Sequence, residues 1–253
     1  MFNDLKGRTA IVTGSGQNIG KAIALALARA GANVVVNGLH DQTKIDTVAA
    51  EIRALGVDAC AILADAADPD AIAGVVDQTI NRFGSLDIAV SNVGIRPYQA
   101  FTEISIDDWH RVINVDLNAA FYLARAAVPH MRKRGWGRII HLSGSEWLFP
   151  WPNRAHVNVA KAGLIALAKS IALELGPHGI TANCICPGWI DTVRETKNYP
   201  QLEEQLQHAR ATLPLRHIGT VDDIANACLY LVSEMGRYVT GQTLYVNGGE
   251  VML

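Results

Sequence analysis

In this 253-residue sequence, chemistry can be read first from residues 13–20, TGSGQNIG. The stretch follows an apolar run, TAIVT, and opens an amphipathic one. Its glycines let a chain turn tightly and let a ligand approach the backbone. A helix starting there adds unpaired N–H groups and a partial positive charge. That combination suits a pyrophosphate, so Gly14, Ser15, Gln17, Asn18, Ile19 and Gly20 are candidates to hold a dinucleotide.

A turn of this kind works only between a strand and a helix, and the sequence supplies both in alternation. Strand-like apolar runs cover 9–13, 33–37, 59–63, 87–91, 138–143, 181–186 and 243–247. Helical patterns cover 18–30, 43–55, 69–83, 106–134, 153–175 and 221–232. Near-continuous apolar strands separated by helices predict a parallel sheet covered on both faces. Right-handed crossovers then make an α/β fold: one doubly wound Rossmann-type domain over residues 1–253, with seven parallel strands. Residues 191–212 are weakly patterned and polar, and read either as a substrate loop over the site or as a surface insertion.

Hydrophobic residues make up 49% of the chain and charged residues 18%, which excludes a disordered chain. A net charge of −2 gives no basic field for nucleic acid or an anionic membrane. No apolar run is long enough to span a bilayer, and the N-terminus has no signal-peptide pattern. Cys60, Cys184, Cys186 and Cys228 form no C-x-x-C pair, and Cys184 and Cys186 share one strand face. A reduced, cytoplasmic protein without a metal site is expected.

The glycine-rich turn resembles the T-G-x-x-x-G-x-G motif of the short-chain dehydrogenase/reductase family, with Asn18 in place of the middle glycine. Asparagine tolerates the left-handed backbone that such a turn needs, although its side chain would crowd the phosphate path. Four other segments share the resemblance. ADAAD places Asp65 against an adenine. SNVG, with Asn92 and Gly94, is similar to the family's N-N-A-G after the fourth strand. CPGWIDT supplies Pro187, Gly188, Ile190 and Thr192 beside a nicotinamide. VNGG is similar to the closing motif.

The resemblance implies a nicotinamide cofactor, NADP or NAD. The second strand ends in NGLH, with Gly38 where an acidic residue would repel a 2′-phosphate, so NADP is favoured. His40 is read either as approaching that phosphate or as an exposed loop histidine without a role. The family also implies a small-molecule substrate and a homodimer or homotetramer joined through the long fourth and fifth helices.

Family catalysis uses a tyrosine, a lysine one helical turn later, a serine and an asparagine. Carried onto this sequence, the lysine is Lys161, which also holds the ribose, and the tyrosine position is Val157. The serine position is Gly144, and the asparagine position is Asp116. Lys161 and Asp116 are therefore expected as an ion pair, either replacing the usual water anchor or merely neutralising a buried lysine. Replacement proton carriers are sought among Glu146, His156, Ser143 and Ser145. His156 is rotated about 100° from Val157 on a helix. Ser143 and Ser145 face away from the side that residue 144 faces, and Glu146 shares that side. Trp147, Phe149, Trp151, Trp189, Arg96, Tyr98 and Arg154 suggest a pocket for an aromatic or anionic substrate, or else core and subunit contacts.

The expected activity is an NAD(P)-dependent oxidoreductase acting on a carbonyl or alcohol, similar to the 3-oxoacyl-thioester reductases but with non-standard proton transfer. The alternatives are a non-redox lyase, isomerase or hydrolase on the same scaffold, and an inactive dinucleotide-binding protein.

Overall fold

The structure is a computed structural model that describes residues 4–193 and 202–252, with Glu146 described by its backbone alone. Its centre is one parallel sheet of seven strands: β1 (Thr9–Val12), β2 (Asn33–Gly38), β3 (Ala59–Leu63), β4 (Ile88–Ser91), β5 (Gly137–Leu142), β6 (Ile180–Pro187) and β7 (Thr243–Val246). The spatial order is β3-β2-β1-β4-β5-β6-β7. The order reverses direction between β1 and β4, which pair in register from Ala10↔Ile88 to Val12↔Val90. In an open α/β sheet, the carboxyl ends of the two strands at such a reversal form a crevice.

Helices cover both faces, as the continuous apolar strands require. They are α1 (Asn18–Arg29), α2 (Gln42–Arg53), α3 (Pro69–Phe83), α4 (Ile106–Ile113), α5 (Ala119–Arg134), α6 (Ala155–Leu175), α7 (Leu202–Thr212) and α8 (Val221–Val232). Their limits follow local chemistry. Asp68 caps α3 through the N–H groups of Asp70 and Ala71, Pro69 begins it, and Gly84 ends it with φ +76°. Thr220 and Asp223 begin α8 with a reciprocal capping box.

Two departures from the sequence pattern bear on the site. The single long helix expected over 106–134 is interrupted by a π-turn at Asn114–Asn118, and Asp116 sits within it. Such turns displace one residue from the helical repeat and concentrate at functional sites. The polar stretch 191–212 contains α7, whose one buried residue is Ala209; a helix with so narrow an apolar stripe gives little periodic signal. Of the remainder of that stretch, 194–201 lies outside the described residues.

Candidate active site

The crevice at the ends of β1 and β4 opens into one cavity of about 690 Å³. Its floor is the turn between β1 and α1. Gly14 adopts φ +60°, and Asn18 adopts φ +51° in the place of the family's second glycine. The asparagine side chain is held in a two-point clamp. Its amide donates to the Val193 carbonyl, and its oxygen accepts from the Val193 N–H, each at 3.0 Å. A Cβ on Gly20 would lie 2.6 Å from Asn92 Nδ2 and collide with the Gly14 carbonyl, so only glycine fits there.

Asn92 Nδ2 donates to the Thr13 and Gly14 carbonyls at 3.1 and 3.0 Å, tying the end of β4 to the turn. Ser15 is buried, gives its hydroxyl proton to the Val12 carbonyl and does not line the cavity. Gln17, Asn18, Ile19 and Gly20 do line it, and Gln17 makes no side-chain cap on α1. At the far edge, Gly38, Leu39 and Asp65 line the cavity. Asp65 accepts from the Ala67 N–H at 2.9 Å. These features fit a dinucleotide: a turn open to a phosphate, uncapped first-turn N–H groups and a slot flanked by Asp65.

Beyond Gly94 lies a buried ion pair. Asp116 Oδ2 is 3.5 Å from Lys161 Nζ, and both side chains are at most 1% exposed. Asp116 Oδ1 accepts from the Ile95 N–H at 2.6 Å, and Lys161 Nζ donates to the Leu142 carbonyl at 3.2 Å. A Cβ on Gly94 would stand 3.2 Å from Asp116 Oδ2 and 3.3 Å from Lys161 Nζ. The pair therefore lies immediately behind the Gly94 backbone, which is part of the cavity wall; neither Asp116 nor Lys161 lines the cavity.

Val157 is fully buried, also off the cavity wall. His156 turns elsewhere. It is buried, its Nε2 is 3.0 Å from Gln99 Oε1, and its Nδ1 accepts from the Val157 N–H. These partners place the ring proton on Nε2. Burial pushes its pKa down, which keeps the imidazole neutral.

The two serines flanking Gly144 part company. Ser143 gives its proton to the Lys161 carbonyl at 2.8 Å. Ser145 also lines the cavity and donates to Glu250 Oε2 at 3.2 Å. Glu250 was not singled out in the sequence; it follows the closing VNGG and carries no periodic or motif signal. It reaches the cavity because Gly188 has no side chain, since a Cβ there would be 2.9 Å from Glu250 Oε2.

The outer cavity is lined by Arg96, Tyr98, Trp151, Arg154 and Trp189. The Arg154 guanidinium stacks 3.9 Å from the Tyr98 ring centroid and lies 5.9 Å from that of Trp151. Trp151 and Trp189 meet edge to face at 5.6 Å. Trp147 instead donates to the Tyr245 hydroxyl at 3.1 Å, and Phe149 is exposed outside the cavity.

A family model described as enoyl-(acyl carrier protein) reductase matches residues 14–250. The chain belongs to the short-chain dehydrogenase/reductase family. It is 38% identical over 245 residues to a 3-oxoacyl-acyl-carrier-protein reductase of Staphylococcus aureus, covering 97% of this chain and 98% of that one. It is 36% identical to an L-rhamnose 1-dehydrogenase (NAD(P)(+)) of a Sphingomonas species, covering 97% and 96%. A solved structure described as a short-chain alcohol dehydrogenase from Sinorhizobium meliloti 1021 superposes with a TM-score of 0.93 at 30% identity, over 98% of both chains. Relatives named for a thioester and for a sugar are almost equally similar, so similarity alone does not select a substrate.

Proposed function

We propose that this chain is a nicotinamide-dinucleotide oxidoreductase that interconverts an alcohol and a carbonyl without the tyrosine and serine usual in its family. The observation that carries this reading is the continuous cavity from the turn after β1, past Gly94, to Trp151 and Trp189. In this reading the first-turn N–H groups of α1 hold the pyrophosphate, Asp65 meets the adenine, and Asn92, Gly94 and Pro187–Thr192 border the nicotinamide. When bound, that group supplies hydride exchange with the substrate carbon. Lys161, with Val157 four residues before it, has a carboxylate rather than a phenol as its partner and acts as a fixed positive charge behind Gly94.

NADP is the preferred form, because Gly38 and Leu39 place no carboxylate where a 2′-phosphate would sit. The substrate is a small molecule with a planar or anionic part, suited to Arg96, Tyr98, Trp151 and Arg154. The working form is a homodimer or homotetramer joined through α5 and α6, which leave Phe121, Val159 and Leu173 exposed.

Tryptophan fluorescence with NADPH and NADH tests the reading, followed by nicotinamide absorbance with a panel of ketones and alcohols that includes acetoacetyl thioesters and aromatic keto acids. Saturable binding with a change in absorbance is expected. Product formed with no absorbance change would replace this reading by the non-redox one, and tight binding without turnover would replace it by the sensor.

A further inference from the structure

The proposed chemistry needs a group in the cavity that can hold a proton. Lys161, Asp116, Val157 and His156 do not line it, and Ser143 points its proton at the Lys161 carbonyl. Both serines are buried and line the cavity, and they differ in their acceptor: Ser145 points its proton at a carboxylate. That carboxylate, Glu250, comes from the segment after β7 and lines the same wall. The hydroxyl belongs to the segment after β5, and Gly188 follows β6. Three neighbouring strand ends thus bring one hydroxyl and one carboxylate together at the mouth of the crevice.

We infer that Ser145 and Glu250 are the proton-transfer pair of this protein, with Ser145 touching the substrate oxygen and Glu250 taking the proton that Ser145 releases. The inference rests on the redox reading above. In the oxidative direction the substrate carbon gives its hydride to the oxidised nicotinamide. The substrate O–H proton passes to Ser145 Oγ as Ser145 gives its own proton to Glu250 Oε2. The products are the carbonyl, the reduced nicotinamide and a protonated Glu250, which returns its proton to water. Reduction runs the same transfers backwards.

The hydrogen bond from Ser145 stabilises the carboxylate over the acid, so removing it raises the pKa of Glu250. The other charged or titratable side chains that line the same cavity are Asp65, Arg96, Tyr98 and Arg154.

The test uses the full-length protein with NADPH and NADH against the same substrate panel, in wild type, Glu250→Gln, Glu250→Asp and Ser145→Ala. The first readout is steady-state kinetics across pH. The second needs no turnover: infrared difference spectra of wild type minus Glu250→Gln follow the Glu250 carboxyl through its titration, with and without Ser145→Ala. We expect Glu250→Gln to lower kcat by about 100-fold or more, the range of a positioned acid–base group, with a far smaller change in KM. The acid limb of the oxidative pH profile should vanish with it, and Glu250→Asp should recover part of the rate. Ser145→Ala should raise the carboxyl midpoint. Wild-type turnover that Glu250→Gln leaves within a factor of a few, or a carboxyl midpoint indifferent to Ser145→Ala, overturns the pair while leaving the redox reading standing. Nicotinamide binding with no turnover of any substrate by wild type overturns both.

Discussion

Replacing Asp116 by Asn keeps an oxygen for the Ile95 N–H but removes the charge 3.5 Å from Lys161 Nζ. At that separation, with an effective dielectric of about 20, the attraction is on the order of 5 kcal/mol. Losing one member of a buried pair costs about 3–5 kcal/mol, because the other charge stays buried. For a chain of this size that is a fall in Tm of roughly 10 °C. Lys161→Met should cost a similar amount, since it leaves the carboxylate without this ammonium. The double variant removes both charges and should be much less destabilised than the sum of the singles, with a coupling energy of at least about 2 kcal/mol. Urea unfolding followed by tryptophan fluorescence measures all four corners of the cycle, with a constant m-value showing that the same transition is being compared. Single losses below about 1 kcal/mol that add within about 0.5 kcal/mol would refute the claim that the two charges stabilise each other behind the Gly94 wall.

His141 on β5 is 1% exposed, neither ring nitrogen has a hydrogen-bond partner among the described residues, and burial lowers its pKa from 6.5 to about 4. The ring is neutral in both states above pH 6.5. As pH falls from there the unfolded chain gains a proton that the folded chain refuses, so stability is lost until about pH 4, by about 3 kcal/mol in all. His141→Leu should flatten that part of the stability–pH curve, and an unchanged slope in denaturant titrations between pH 4 and 6.5 would count against it. Gly38→Asp should weaken NADPH relative to NADH by about tenfold or more in fluorescence titrations, close to 1.4 kcal/mol. The added Cβ would stand 2.7 Å from the Ile45 Cγ2 methyl and 3.9 Å from Leu63 Cδ2, so Ile45 must shift and circular dichroism checks the fold first; an unchanged NADPH preference in a folded variant would remove the argument from charge. Val157→Tyr combined with Gly144→Ser and Asp116→Asn should raise NADPH-dependent reduction of a simple ketone by about 10²-fold, at an overpacking cost of about 1–3 kcal/mol because Val157 is fully buried, on top of the about 3–5 kcal/mol that Asp116→Asn costs alone. A folded, NADPH-binding triple variant with no added activity would show that the pocket above Lys161 is not where a phenol can reach substrate.

Local rules carried much of this molecule. Alternating apolar strands and amphipathic helices predicted a parallel α/β sheet because burial on both faces removes polar residues from a strand wherever it stands. The glycine-rich turn before α1 acts within a few residues, so it was legible as spelled. The left-handed backbone at Asn18 was likewise expected from residue type, but the direction of its side chain was not. The clamp partner, Val193, lies 175 residues away, so no local pattern marks it.

The same separation explains the rest. Parity along an extended chain put Ser143 and Ser145 on one side; the 3₁₀ turn beginning at Ser145 broke that parity, and the two hydroxyls found different partners. His156 was weighed as a proton carrier by its type, and a contact with Gln99, 57 residues away, took it out of the cavity. Glu250 carried no signal because its meaning depends on Ser145, 105 residues earlier, and on the missing side chain of Gly188. Propensity, capping and burial periodicity are properties of neighbours in the chain. Which proton faces which carboxylate is a property of strand order, and that exists only once the sheet has closed around its crevice.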